Sequence, residues 1–77
     1  MSQGYTSKFI ERVKTAEQTK LGVIMGNVCI ARGIPVAEVA EFFGVTRVTV
    51  YNWFAGVFIM PERHHVKANK LIAKFTT

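Results

Sequence analysis

Residues 36–56 read VAEVAEFFGVTRVTVYNWFAG, and the spacing within them decides the fold. Val39, Ala40 and Phe43 recur at three- and one-residue steps that gather them on one face of a helix from Val36 to Phe43. Gly44 follows at a place where a left-handed backbone is cheap for glycine and costs other residues roughly 1 kcal/mol or more. Thr46 is then set to cap a second helix, its hydroxyl accepting the N–H of Val48 or Thr49. That helix runs to Phe54, with Val50 and either Trp53 or Phe54 facing inward, and Gly56 closes it. No Glu or Gln stands three residues after Thr46, so the reciprocal half of a capping box is absent. The β-branched run Val45 to Val50 also invites a strand. A strand would put Arg47, Thr49 and Tyr51 on one face and Val48, Val50 and Asn52 on the other, which is no clean alternation. Two short helices that cross steeply need a small residue at the crossing, a glycine in the turn and a shared apolar set. Ala40, Gly44 and the group Val39, Phe43, Val45, Val50 and Trp53 meet those needs, and a helix-turn-helix is predicted over Val36 to Ala55.

The rest of the chain frames this unit in a single all-α domain, 1–77, of four or five helices. An N-terminal helical extension is predicted over 7–16, where Phe9, Ile10, Val13 and Ala16 share a face. Glu17 to Arg32 continues in register with an apolar stripe of Leu21, Ile24, Met25, Val28 and Cys29, and one bent helix or two would both fit. Gly22 and Gly26 weaken helix propensity by roughly 1 kcal/mol each. They are either tolerated glycines in a packed helix or a place where a neighbouring helix approaches closely. Gly33 and Pro35 bracket a break, the first suited to a helix C-terminus and the second to the start of the next helix. After Gly56 comes the apolar loop Val57 to Pro61. A last helix from about Glu62 to Phe75 is expected to bury Val66, Leu71, Ile72 and Phe75.

Composition narrows the function classes. The chain has 77 residues, near the size at which one hydrophobic core becomes marginal, and it is 49% apolar. Ten Lys and Arg against five Glu give a formal charge of +5, which favours a polyanionic partner without naming it. The lone cysteine, Cys29, lies on the apolar stripe as a core residue and cannot form an intrachain disulfide, so an intracellular location is the default expectation. No apolar run reaches the roughly 18 to 20 residues needed to span a bilayer, and Met1 to Ser7 has no basic region leading into an apolar one. An enzyme is not expected. The sequence has no aspartate, no glycine-rich phosphate loop, and its histidines, His64 and His65, are adjacent and point apart on a helix, so neither a metal site nor a paired-carboxylate site is formed. No cofactor or small-molecule substrate is implied.

The run VAEVAEFFGVTRVTVYNWFAG resembles the helix-turn-helix of the phage repressor and Cro class, a large family of small bacterial and phage transcriptional regulators. Ala40, Gly44, Val45, Val50 and Trp53 carry the resemblance. More weakly, KLGVIMGNVCIARGIP is similar to the family's first helix, and WFAGVFIMP to the loop after its recognition helix. The resemblance covers about 20–75. It implies a lambda-repressor-like fold, double-stranded DNA as partner, and a cytoplasmic transcriptional regulator, repressor-like, in a bacterial or phage-infected cell. By position, Thr46, Arg47, Val48, Tyr51 and Asn52 would face the groove. The residue chemistry agrees: Arg47 matches guanine O6 and N7, Asn52 matches adenine N6 and N7, and Val48 suits a thymine methyl. Tyr51 suits a base or a phosphate, while Thr46 and Thr49 are candidates for the DNA backbone. Two departures stand out. Pro35 and Val36 occupy places where the family has a polar cap and a Gln or Thr, leaving only backbone amides for a phosphate, and the loop Val57 to Met60 lacks basic residues.

Charge is displaced from the motif. Between Val36 and Gly56 the charged residues are Glu38, Glu41 and Arg47, a net of −1. The last helix instead carries Arg63, Lys67, Lys70 and Lys74 as a ridge, a candidate for phosphate tracking or a plain solvated face. Lys8, Arg12, Lys14, Lys20 and Arg32 read as scattered solubilising charge. One recognition helix covers few base pairs, so a homodimer on two half-sites is expected. Val57, Phe58, Ile59 and Met60 are candidate dimer contacts, the alternative being burial of Phe58 and Ile59 in the domain's own core; the region around Tyr5 and Phe9 and the C-terminal end are further candidates. Two other readings stay open: a helix-turn-helix scaffold that binds protein as adaptor or inhibitor, and a DNA-binding protein of recombination or genome packaging.

Overall fold

The chain leaves the helix between Ala16 and Lys20, so the N-terminal periodicity resolves into two helices rather than one bent one. Ala16 is extended, and the Gln18 side-chain amide donates to the carbonyls of Val13 at 2.8 Å and Ala16 at 2.7 Å, meeting acceptors a helix end would leave open. In the computed structural model, which describes residues 5–76, the α-helices are α1 (Ser7–Thr15), α2 (Leu21–Arg32), α3 (Val36–Phe43), α4 (Arg47–Phe54) and α5 (His65–Thr76). A 3-10 turn at Glu62–His64 leads into α5. The expectation for Met1 to Ser7 concerns in part residues 1–4, which lie outside the described ones. No helix among the described residues is long and apolar enough to cross a membrane.

Helix α2 is the platform, with α1, α4 and α5 all packed on it. The expected stripe on α2 is rotated from the true one. Ile24 is exposed, Leu21 and Val28 are half-buried, and Val23, Met25 and Cys29 are fully buried together with Gly22 and Gly26. The physical reason lies in the glycines. A Cβ on Gly22 would lie 2.6 Å from the Trp53 carbonyl oxygen, and one on Gly26 2.8 Å from the Phe54 Cβ. The glycine pair therefore faces α4 at the centre of the contact, and the bulky residues that sequence spacing weighs most sit to one side of it.

Helices α2, α3 and α4 end alike. The Ile34, Val45 and Val57 N–H groups donate back to Cys29, Ala40 and Asn52 at 2.9, 3.0 and 2.9 Å, each bond closing over a glycine with positive φ. At Gly44 the added Cβ would meet nothing within 4 Å, so its φ of 70° alone accounts for the glycine there.

At the C-terminus the inward row is His64, Ala68 and Leu71, with Phe75 half-buried at its end and Ile72 half-buried beside it. Val66, expected in the core, is 66% exposed. His64, Ala68 and Leu71 are spaced i, i+4 and i+7 on one face, and Val66, about 200° round from Ala68, falls on the opposite one. The His64 ring meets Phe43 edge-on and lies tilted to Trp53, with centroids 5.6 and 5.2 Å away, and its buried Nε2 has no hydrogen-bond partner. Burial, reinforced by the charges of Arg63 and Lys67 and by His65, holds its pKa below the usual histidine value. Burial likewise pushes the Cys29 thiol up to about 12, which leaves it a protonated core residue.

Candidate nucleic-acid interface

The turn between α3 and α4 is clamped by its own side chains. Thr46 Oγ1 accepts the Thr49 N–H at 3.2 Å, and the two threonine hydroxyls are hydrogen-bonded at 2.9 Å. Ala40 is buried where the helices cross, and the Phe43 ring meets Trp53 edge to face at 5.4 Å. The inner face of α4 is thus Val50, Trp53 and Phe54, all buried, so that both aromatic residues offered as alternatives turn inward.

The outer face follows from that anchoring. Arg47 and Val48 are exposed, Val48 to 66%, while Tyr51 and Asn52 are half-buried beside them. The four predicted base-reading residues therefore share one side of α4. Tyr51 differs from its neighbours, since its ring packs edge-on against Phe9 of α1 at 4.9 Å. Sequence reading placed Phe9 on the inward face of α1 but gave no sign of this lateral contact. Tyr5 is a second contributor to α1 docking. Expected with Phe9 as a candidate partner surface, it is instead buried at 2% exposure, its hydroxyl donating to the Ile34 carbonyl at 2.7 Å and its ring lying near Phe9 and Phe54.

The apolar loop after α4 is held rather than loose. The Asn52 carbonyl accepts N–H groups from Val57 at 2.9 Å and Phe58 at 3.2 Å, Lys20 Nζ donates to the Gly56 carbonyl at 2.9 Å, and His65 Nε2 donates to the Met60 carbonyl at 2.9 Å. Val57, Phe58 and Ile59 stand out of the fold, Ile59 at 82% exposure, so burial of Phe58 and Ile59 in the domain's own core does not occur. Met60, the fourth candidate dimer residue, is buried at 4% and belongs to the core. A chain that must turn back into α5 within a few residues has one inward place to fill, and Met60 fills it.

The basic ridge of α5 lies along α3. Lys67 Nζ donates to the Phe42 carbonyl at 3.1 Å and sits 5.4 Å from the centre of the Phe42 ring. Lys70 and Lys74 line an open groove whose other wall carries Glu38, Glu41 and Phe42; no residue of α4 lines it. Arg63 is exposed at the start of the ridge. At the other end of α3, Pro35 stands at the cap with no side-chain hydrogen bond and Val36 is buried, so backbone amides are what that end offers an anion.

Compared with protein-family models, curated proteins and solved structures, the chain has no match.

Proposed function

We propose that the chain is a sequence-specific double-stranded-DNA-binding protein, a small repressor-like transcriptional regulator of the bacterial cytoplasm that works as a pair of copies and needs no cofactor. The observation that carries this is the division of α4 into a fully buried aromatic face and an outward face holding Arg47, Val48, Tyr51 and Asn52 beyond a clamped turn. A helix of about 12 Å diameter fits the major groove, and a rigidly seated one brings a guanidinium and a carboxamide to base edges in fixed register. The exposed Val57, Phe58 and Ile59 offer an apolar surface for the second copy. The same surface favours a second reading, a protein-binding adaptor built on this scaffold.

Selection of duplexes from a random pool by the purified chain separates the two. Enrichment of a two-fold symmetric site is expected, and Arg47→Ala weakens binding to it by about 1–3 kcal/mol while relaxing the preference at one base pair per half-site. Absence of any enrichment at low salt overturns the DNA reading and leaves the adaptor.

A further inference from the structure

The motif itself is short of positive charge, and the contact between Phe9 and Tyr51 shows which part of the chain stands next to it. Tyr51 and Arg47 are one turn apart on the same edge of α4, so α1 flanks that edge. On α1 the buried Val13 marks the inward direction, and Phe9 and Ile10 lie on opposite margins of the inward face. At about 100° per residue, Lys8 and Arg12 fall on the Phe9 margin and Lys14 on the Ile10 margin. Lys8 and Arg12 are exposed and four apart, hence stacked on one side of α1, the side of Phe9, whose ring meets Tyr51 of α4. The carboxylate on this helix, Glu11, lies farther from Phe9 than either, and from Ser7 to Thr15 the formal charge is +2.

We propose that α1 is a second DNA-contacting element, with Lys8 and Arg12 bonding backbone phosphates along the margin of the groove that α4 enters. The inference rests on the DNA-binding reading of α4. A helix lying in a major groove about 12 Å wide has a phosphate strand along each of its edges. Helix α1 packs on α2 and reaches α4 through the Phe9–Tyr51 contact, so it stands on the side of α4 that one of those strands would follow. The docking of α1 is firm, through the Tyr5 hydroxyl on Ile34 and the ring contacts of Tyr5 and Phe9, so the two cations are carried by a fixed support rather than a tail. They supply the sequence-independent affinity that the motif, at a net charge of −1, does not.

The test measures fluorescence anisotropy of the full chain on the duplex enriched by selection and on a random duplex, between about 50 and 200 mM salt. Replacing both cations, Lys8→Gln with Arg12→Gln, is expected to lower the slope of log K against log salt by about 2 and to weaken both duplexes alike. Lys14→Gln on the same helix leaves the slope in place, and the exchange Lys8→Arg with Arg12→Lys restores it. Thermal unfolding followed by circular dichroism should be the same for all, because these side chains are exposed. If the parent chain binds and the double Gln variant keeps the parental slope, the α1 proposal is wrong and the α4 reading stands. If the parent binds no duplex at low salt, both fall together.

Discussion

Helices α1 and α5 are both basic, both packed on α2 and both outside the helix-turn-helix, yet their charges stand in different surroundings. The cations of α5 turn back on the protein: Lys67 on the Phe42 carbonyl and ring, Lys74 near the Phe75 ring, and Lys70 and Lys74 across a groove from Glu38 and Glu41. Arg32 at the end of α2 adds a donor to the Phe75 carbonyl at 2.9 Å, tying α5 down further. The α1 helix is tied by a phenol and aromatic rings instead, which leaves Lys8 and Arg12 outside its bonding. The sequence shows the reverse picture, an ordered ridge on α5 and scattered charge on α1. Spacing along one helix reports which charges share a face, and only the neighbour of that face decides what they do.

The comparison breaks most completely at α2, the platform common to both helices. Gly22→Ala would set a methyl 2.6 Å from a backbone carbonyl that cannot rotate away, pushing α4 off its seat. Overpacking of this kind costs up to about 3 kcal/mol and the gain in helix propensity returns about 1. A net loss of about 2 kcal/mol, roughly 10 °C in melting temperature, is expected by calorimetry. An unchanged or higher melting temperature would mean that α4 does not approach α2 as described, and the placement of α1 beside its outer face would fall with it.

A smaller effect sharpens the contrast in charge. Neutralising Lys70 and Lys74 together removes the same number of charges as neutralising Lys8 and Arg12. Because the two lysines share their groove with two carboxylates, the salt slope of DNA binding should change by less than about 1, against about 2 for the α1 pair. An equal or larger change on the α5 side would return phosphate tracking to the C-terminal ridge.

What could be read in advance follows the range of the interactions. The helix-turn-helix was legible because its signals are local: Gly44 needs positive φ, Thr46 bonds a backbone N–H three residues on, and Val39, Phe43, Val50 and Trp53 repeat at helical spacing. The face of α2 was not, because its centre is marked by Gly22 and Gly26, which have no side chains to score as apolar. The inward row of α5 was hard to see because it is headed by His64 and Ala68, which carry little apolar signal, while the strongly apolar Val66 stands on the opposite face. The contact of Phe9 with Tyr51 joins residues far apart in the chain, and no local pattern encodes it. Arg47, Val48, Tyr51 and Asn52 stand on one side of α4 because Val50, Trp53 and Phe54 take the other, while Tyr51 is shared between that side and α1.

The finest distinction between the two helices is one of pH. Among the described histidines, His64 lies in the turn leading into α5, buried between Phe43 and Trp53 with Arg63 and Lys67 nearby, and its pKa is lowered by burial first and by those charges second. In the unfolded chain it returns to about 6.5. As pH falls below that value the unfolded state takes up a proton that the folded state refuses, so stability declines until the folded pKa is reached and levels off beneath it. The melting temperature should therefore drop between about pH 7.5 and 5. His64→Phe keeps a ring against Phe43 and Trp53, removes the unpartnered Nε2 and ends this titration. The variant should be at least as stable as the parent at neutral pH and should lose less on acidification, with the docking of α1 and the salt slope set by Lys8 and Arg12 untouched. A variant that follows the parent's pH curve would assign the acid sensitivity to groups other than His64.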